Sequence, residues 1–297
     1  MKLTLTGSSG FIGVNLITYL KGFDIYKLFL RYHINQTIII ENTNSIIHLG
    51  GKAHDLKKVS QPQDYYDANF KLTKQLYDAF LKSGAKKFIF ISSVKAAADS
   101  VTGVLTEVTI PNPQTHYGKS KLKAEEYIKA QTLSEGKSYY ILRPCMIHGP
   151  GNKGNLNLLY QFVKKGIPYP LAAFLNQRSF LSIENLCFVI KELLENEIPS
   201  GVYQVADDES LSTNDLVKEI ALSLGLKPRL LNVPARCIQL VAKLGDKFKL
   251  PLNTERLNKL TENYIVSNKK IKTALGKELP IKAREGLQRT ILSFKRI

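Results

Sequence analysis

The chain has 297 residues, 44% hydrophobic and 23% charged, which suits one large domain or two modest ones and is ordinary for a soluble globular protein. No uninterrupted run of about 18 apolar residues occurs, which argues against a membrane-spanning helix, and the three cysteines, Cys145, Cys187 and Cys237, lack the number and spacing of a disulfide framework or a zinc site. The formal net charge of +17 is spread along the chain and is denser from Lys243 to Lys282; it reads mainly as a lysine-rich solvated surface, with attraction to a diphosphate or an anionic membrane surface as the competing reading, and no nucleic-acid-binding module accompanies it.

The segment MKLTLTGSSGFIG has too many glycines for a signal peptide and reads as a strand, KLTLTG, running into a turn. A helix is expected over Phe11–Lys21 and a second strand over Ile25–Leu30. Buried strands follow at Ser45–Leu49, Lys87–Ile91 and Tyr139–Leu142, with helical patterns at Tyr65–Ser83 and His116–Thr132 between them. Strands alternating with helices imply an α/β fold with a doubly wound parallel sheet of Rossmann type. After Pro144 the texture changes. Prolines punctuate a loop-rich stretch, and helical patterns return at Leu156–Lys165, Ile183–Asn196 and Thr213–Leu224. The division expected is a nucleotide-binding domain over 1–150 and a smaller C-terminal subdomain over 151–297, with parts near 181–208 returning to the sheet.

Gly7, Gly10 and Gly13 fall between a strand and a helix. Glycines there permit a tight turn and close approach of backbone N–H groups to a pyrophosphate, with the helix N-terminus aimed at it. Ser9 is placed to touch phosphate. The spacing is G-x-x-G-x-x-G, and its strand–turn–helix setting is what makes it a dinucleotide signal. The end of the second strand, where an acid would hold a ribose 2′-hydroxyl, carries Arg31 instead, which favours a 2′-phosphate and so NADPH over NADH. Tyr117 and Lys121 are four apart on a helical pattern and share a face. An ammonium beside a phenol, together with a positive nicotinamide, favours the phenolate and lowers its pKa, so Tyr117 could exchange a proton with a substrate hydroxyl while Ser93, at the end of KFIFIS, holds the same oxygen. His54, His116 and His148 form no ligand pattern. Asp207, Asp208 and Glu209 read as an acidic loop before a helix capped near Ser212 or Thr213, and no metal site is expected.

Together these residues resemble the extended short-chain dehydrogenase/reductases, NAD(P)-dependent epimerases, dehydratases and reductases of nucleotide sugars, over nearly the whole chain. By that resemblance TGSSGFIG is the cofactor turn, including Phe11 and Ile12. HLGGKAH places Leu49, Gly50 and Gly51 beside the cofactor, and Asn69 precedes a long helix. FISS and YGKSK supply Ile91, Ser93, Tyr117 and Lys121, and LRPCMIHGPG brings Pro144 and Ile147 over the nicotinamide. The second half, through GNLNLLYQFVKKGIPYPL and NQRSFLSIENL, is similar to reductases of UDP-4-keto-6-deoxy-N-acetylhexosamines for surface polysaccharides, so Asn155, Arg178 and Arg256 would contact the nucleotide and diphosphate. Val94 and Lys95 stand where a dehydratase carries an acidic pair, which disfavours dehydration. The chain departs from the family in a short segment between Arg31 and His48, which lacks a helix the family has there, and in Met146, which replaces a substrate-contacting Asn.

The reading is therefore a cytoplasmic NAD(P)-dependent oxidoreductase reducing the C4 ketone of a UDP-sugar. The alternatives are a UDP-sugar 4-epimerase and a non-catalytic NAD(P)-sensing protein. The resemblance also implies a homodimer formed through two helices beside the sheet.

Overall fold

The computed structural model describes residues 1–34, 36–52, 61–152, 154–248 and 253–295. The chain opens with β1 (Lys2–Thr6), α1 (Phe11–Tyr19), β2 (Asp24–Leu28) and β3 (Ser45–His48). Then come α2 (Pro62–Tyr66), a π turn (Asp67–Lys71), α3 (Leu72–Lys82), β4 (Lys87–Ile91), β5 (Val104–Leu105), α4 (His116–Ala130), β6 (Ser138–Pro144) and β7 (Met146–His148). Next are α5 (Asn155–Lys164), β8 (Arg178–Ser182), α6 (Ile183–Glu195), β9 (Gly201–Val205), β10 (Ser210–Leu211) and α7 (Thr213–Ser223). The chain ends with α8 (Ala235–Phe248), α9 (Thr254–Thr261), β11 (Ile265–Val266), α10 (Lys269–Leu275) and α11 (Ala283–Phe294).

Six strands form one parallel sheet in the order β2-β1-β3-β4-β6-β9. This is the Rossmann-type α/β architecture expected from the alternating pattern. β3 and β4 are buried along their whole length, as continuous apolar strands covered on both faces should be. α1 and α6 pack on each other and cover one face with a core of Leu3, Leu5, Ile47, Ile89, Leu186 and Ile190. α3 and α4 cover the other around Leu76, Tyr77, Phe80, Phe88, Phe90 and Ile128. A second core lies outside the sheet, where Tyr160 of α5, Ile220 of α7, Ala242 of α8 and Ile291 and Phe294 of α11 meet Phe180 of β8.

The short segment after Arg31 has a structural counterpart. β2 and β3 flank β1 on opposite sides, so the chain must cross over β1 between Leu28 and Ser45. Among the described residues of this crossover there is no helix. Leu30, Ile38 and Ile40 lie on the Phe88–Phe90 face and contribute the apolar cover that a crossover helix normally gives. The usual order of such a sheet places one more strand outside the second. Here, among the described residues, β2 has only β1 as a neighbour, and Tyr26 on it is 65% exposed.

Candidate active site

The first cleft opens at the C-terminal ends of β1, β2 and β3. It holds about 920 Å3 and is lined by Thr6, Gly7, Ser9, Arg31, Gly50 and Gly51, together with Tyr32, Lys52 and Asp64. Its floor follows from the glycines. Gly7 adopts φ +70°, and a Cβ there would lie 2.8 Å from the Gly50 backbone nitrogen. A side chain at Gly13 would run into the Gly7 carbonyl and Ser8, so only glycine lets the first turn of α1 sit this close to the loop. The result is a backbone cradle at a helix N-terminus that fits a dinucleotide pyrophosphate.

Beneath the cradle, Thr6 Oγ1 and His48 Nδ1 are 2.6 Å apart, and His48 Nε2 lies 2.9 Å from Thr73 Oγ1. Complete burial, aided by the charge of Lys121, pushes His48 down to about 3, so it is a neutral link between β1, β3 and α3. The π turn puts Asn69 inside. Its Oδ1 accepts from the Lys52 N–H at 2.7 Å, and its Nδ2 donates to the Lys52 carbonyl and to Ser120 Oγ at 3.0 Å. Asn69 thus pins the Gly51–Lys52 loop to α4.

The second cleft, about 440 Å3, is lined by Ser93, Lys95, Tyr117, Cys145, Met146, Ile147, Asn155, Arg178 and Tyr264, among others. Tyr117 and Lys121 share a face of α4, whose N-terminus is capped by Thr115 Oγ1 accepting from the Gly118 N–H. Gly118 is packed against the Lys95 carbonyl and Pro113, so any larger residue there would push α4 off the Ser93 loop. Ser93 hydrogen-bonds Tyr117. Lys121 is buried, donates from Nζ to the Ile91 carbonyl at 2.9 Å and sits 4.7 Å above the Phe90 ring. A Cβ on Gly51 would lie 3.0 Å from that Nζ, so Lys121 stands where the two clefts meet.

The electrostatics of the chain by itself differ from those expected with nicotinamide bound. The sequence reading has Lys121, together with nicotinamide, lowering the Tyr117 pKa. In the chain by itself, burial pushes the Tyr117 phenol up and the Ser93 hydrogen bond opposes this. Lys121 is itself pushed down to about 8 by burial, against the pull of Glu125. Burial dominates for both groups, and Lys121 Nζ is turned toward the Ile91 carbonyl.

Of the other residues singled out from sequence, Gly10, Phe11 and Ile12 form the turn and the start of α1, behind the cleft. Leu49 packs into the sheet core, and Pro144 closes β6. Ile147 lines the second cleft. Asn155 opens α5 at the rim. Arg178 reaches the cleft with Nη1 donating to the Lys259 carbonyl at 2.9 Å and Nη2 3.7 Å from Glu262. Arg256 is exposed on α9 and is not brought to the cleft wall. His54 lies outside the described residues. His148 is buried, with Nε2 3.7 Å from Asp207, whose carboxylate also accepts from the Ser182 N–H and Asn185 Nδ2. That carboxylate belongs to a structural junction rather than to a loop surface, and no group of acids, His and Cys among the described residues could hold a metal ion.

Sequence reasoning missed Lys95, Cys145 and Tyr264 as cleft residues. Lys95 Nζ donates to the Asp99 carbonyl at 2.7 Å and lies 4.4 Å over the Tyr264 ring. Tyr264 arrives from the far end of the chain through pairing of β11 with β5, which no local pattern could reveal.

The model of the NAD dependent epimerase/dehydratase family matches residues 33–206. The chain is 31% identical to a UDP-glucose 4-epimerase of Vibrio cholerae, over 99% of this chain and 95% of that protein. The chain belongs to this family. A second family relative, N-acetyl-alpha-D-glucosaminyl-diphospho-ditrans,octacis-undecaprenol 4-epimerase of Escherichia coli O157:H7, is 29% identical over 98% of this chain and 94% of its own length. A UDP-2-acetamido-2,6-beta-L-arabino-hexul-4-ose reductase of Pseudomonas aeruginosa is 22% identical over 74% of this chain and 57% of that protein. Among solved structures, MoeE5 in complex with UDP-glucuronic acid and NAD shares the fold with a TM-score of 0.76 at 21% identity, covering 100% of this chain and 99% of that one. The chain is an enzyme of this family, these relatives are nucleotide-sugar epimerases and reductases, and the cofactor class is NAD or NADP. No helix among the described residues is long and apolar enough to cross a membrane.

Proposed function

We propose that this protein is a 4-epimerase of a UDP-linked hexose or N-acetylhexosamine, with the sugar in the second cleft and the nicotinamide beside Lys121. The observation that carries the reading is the hydrogen-bonded Ser93–Tyr117 pair at the wall of the second cleft, with Lys121 at the junction with the glycine cradle. A nicotinamide held there would supply reversible hydride transfer at sugar C4. Tyr117 Oη takes the O4 proton as the C4 hydride leaves and gives it back when the hydride returns to the other face. Ser93 holds O4 through both transfers. Lys121 keeps a positive charge under the junction and favours the phenolate once substrate is seated. Arg178 and Asn155, at the other side of the cleft, hold the diphosphate, to which a guanidinium fork is suited. Residues 151–297 supply half of the residues that line this cleft.

Epimerisation is preferred to one-way reduction because both relatives matched over nearly their whole length are 4-epimerases, whereas the reductase relative matches over part of its length. Reduction of a UDP-4-keto-6-deoxy-N-acetylhexosamine is the second reading. Arg31 favours it, since it lines the cofactor cleft where a 2′-phosphate would lie. Proton NMR of the H4 signal with UDP-glucose and UDP-N-acetylglucosamine decides between them. Interconversion without net use of nicotinamide is expected. Stoichiometric oxidation of NADPH by the 4-keto sugar, with no interconversion, would replace epimerase by reductase, and inertness toward all three sugars would remove both.

A further inference from the structure

Helix α8 is seated by a narrow seam. Only Ile238, Ala242 and Gly245 of its residues are buried. Leu240, Val241, Leu244 and Phe248 are 61%, 47%, 46% and 63% exposed. At 3.6 residues per turn these four fall, with the exposed Cys237, in one sector about 100° wide. Arg236, Lys243 and Lys247 occupy the sector next to it, all three exposed. The one acid of the helix, Asp246, is turned away and accepts from the N–H and hydroxyl of Thr254 at the start of α9. Single exposed apolar residues are ordinary on a protein surface. A continuous apolar stripe flanked by basic residues on one helix is the pattern of a helix lying in a lipid interface.

We propose that α8 docks this protein on an anionic phospholipid surface, with the Leu240–Leu244–Phe248 stripe in the acyl boundary and Arg236, Lys243 and Lys247 on the headgroups. Charge selects this occupant over a second copy of the chain. Two such faces brought together would oppose their own basic rows in a molecule of net charge +17, whereas anionic lipid complements them. The docking stands on α8 alone and does not depend on which sugar is used. It does bear on access to the second cleft, because α8 packs on α9, whose Lys259 carbonyl holds Arg178 and whose Leu260 carbonyl accepts from Asn176. The substrate side therefore sits one helix away from the lipid.

The test is flotation of the whole chain with vesicles of phosphatidylglycerol and phosphatidylethanolamine, and with phosphatidylcholine alone. Wild type is expected to float with the anionic vesicles, weakly with phosphatidylcholine, and less as salt rises. Leu240→Gln with Leu244→Gln should lower the partition coefficient at least about tenfold. Lys243→Gln with Lys247→Gln should lower it roughly fivefold per residue. All of these positions are exposed, and unchanged urea midpoints will show that the variants are folded. Failure of wild type to float on anionic vesicles, or equal flotation of wild type and both variants, overturns the proposal. So does sedimentation showing a wild-type dimer that the leucine variant converts to monomer.

Discussion

Replacing Lys121 with Met separates what the site costs the fold from what it does. At the junction of the clefts the ammonium is buried, and its pKa falls from 10.5 to about 8. Holding it charged at pH 7 therefore costs the folded chain about 3 kcal/mol. Methionine fills nearly the same volume without the charge. It leaves the Ile91 carbonyl without its donor, at about 1–2 kcal/mol, and gives up the contact over Phe90, worth about 0.5–1 kcal/mol. The variant should thus match or exceed wild-type stability at pH 7, by up to about 1.5 kcal/mol. The pH dependence is sharper. The unfolded chain keeps the Lys121 proton up to its ordinary 10.5, whereas the folded chain releases it from about 8. Unfolding takes up a proton between these values, so wild-type stability rises with pH through that window relative to the variant. Urea midpoints at pH 7, 8, 9 and 10 should show wild type gaining about 2–3 kcal/mol on the variant, with the two curves crossing. A gap that stays constant, or that moves in favour of the variant as pH rises, refutes the desolvation account. Turnover should be lost in the variant at every pH.

Tyr117→Phe should lower kcat by at least about 10²-fold while cofactor affinity, measured by calorimetry, stays near wild type. Glu125→Gln strands the buried Arg143 guanidinium, whose Nε donates to Glu125 Oε1 at 3.0 Å, and disturbs the Ser92 hydroxyl bonded to the same carboxylate. It should destabilise the chain by about 3–5 kcal/mol in urea titration. Arg31→Asp should move the ratio of NADPH to NADH affinity at least about tenfold toward NADH; no change would mean that Arg31 does not face the 2′-position.

The sheet was legible because its strands are short apolar runs buried on both faces, as in SIIH and KFIFI, and such runs carry their own signal. The glycine turn and the Tyr117–Lys121 pair were legible because each is local: a strand–turn–helix in one case, one helix face in the other. The helical pattern at Tyr65–Ser83 hid its π turn, because a single extra residue barely alters an apolar period. β8 and the helices from α8 onward went unread for a different reason. Arg178–Ser182 is too short to show a period, and α8 exposes most of its apolar residues, so its pattern does not mark a buried face. The Glu125–Arg143 pair and Tyr264 were invisible because burial and pairing across the chain create them.

The two clefts differ in how much of the chain each must wait for. Every described residue lining the first cleft lies between Thr6 and Leu72. Those lining the substrate cleft run from Ser93 to Tyr264, and the last arrives only when β11 pairs with β5. As the chain emerges from the ribosome, N-terminus first, the residues that line the glycine cradle have all been made when barely a quarter of the sequence is, whereas the last residue of the sugar side follows only when nearly all of it has been synthesised. The residues of the glycine cradle are therefore synthesised well before Lys121, at the junction of the clefts, and long before the last residue of the sugar side.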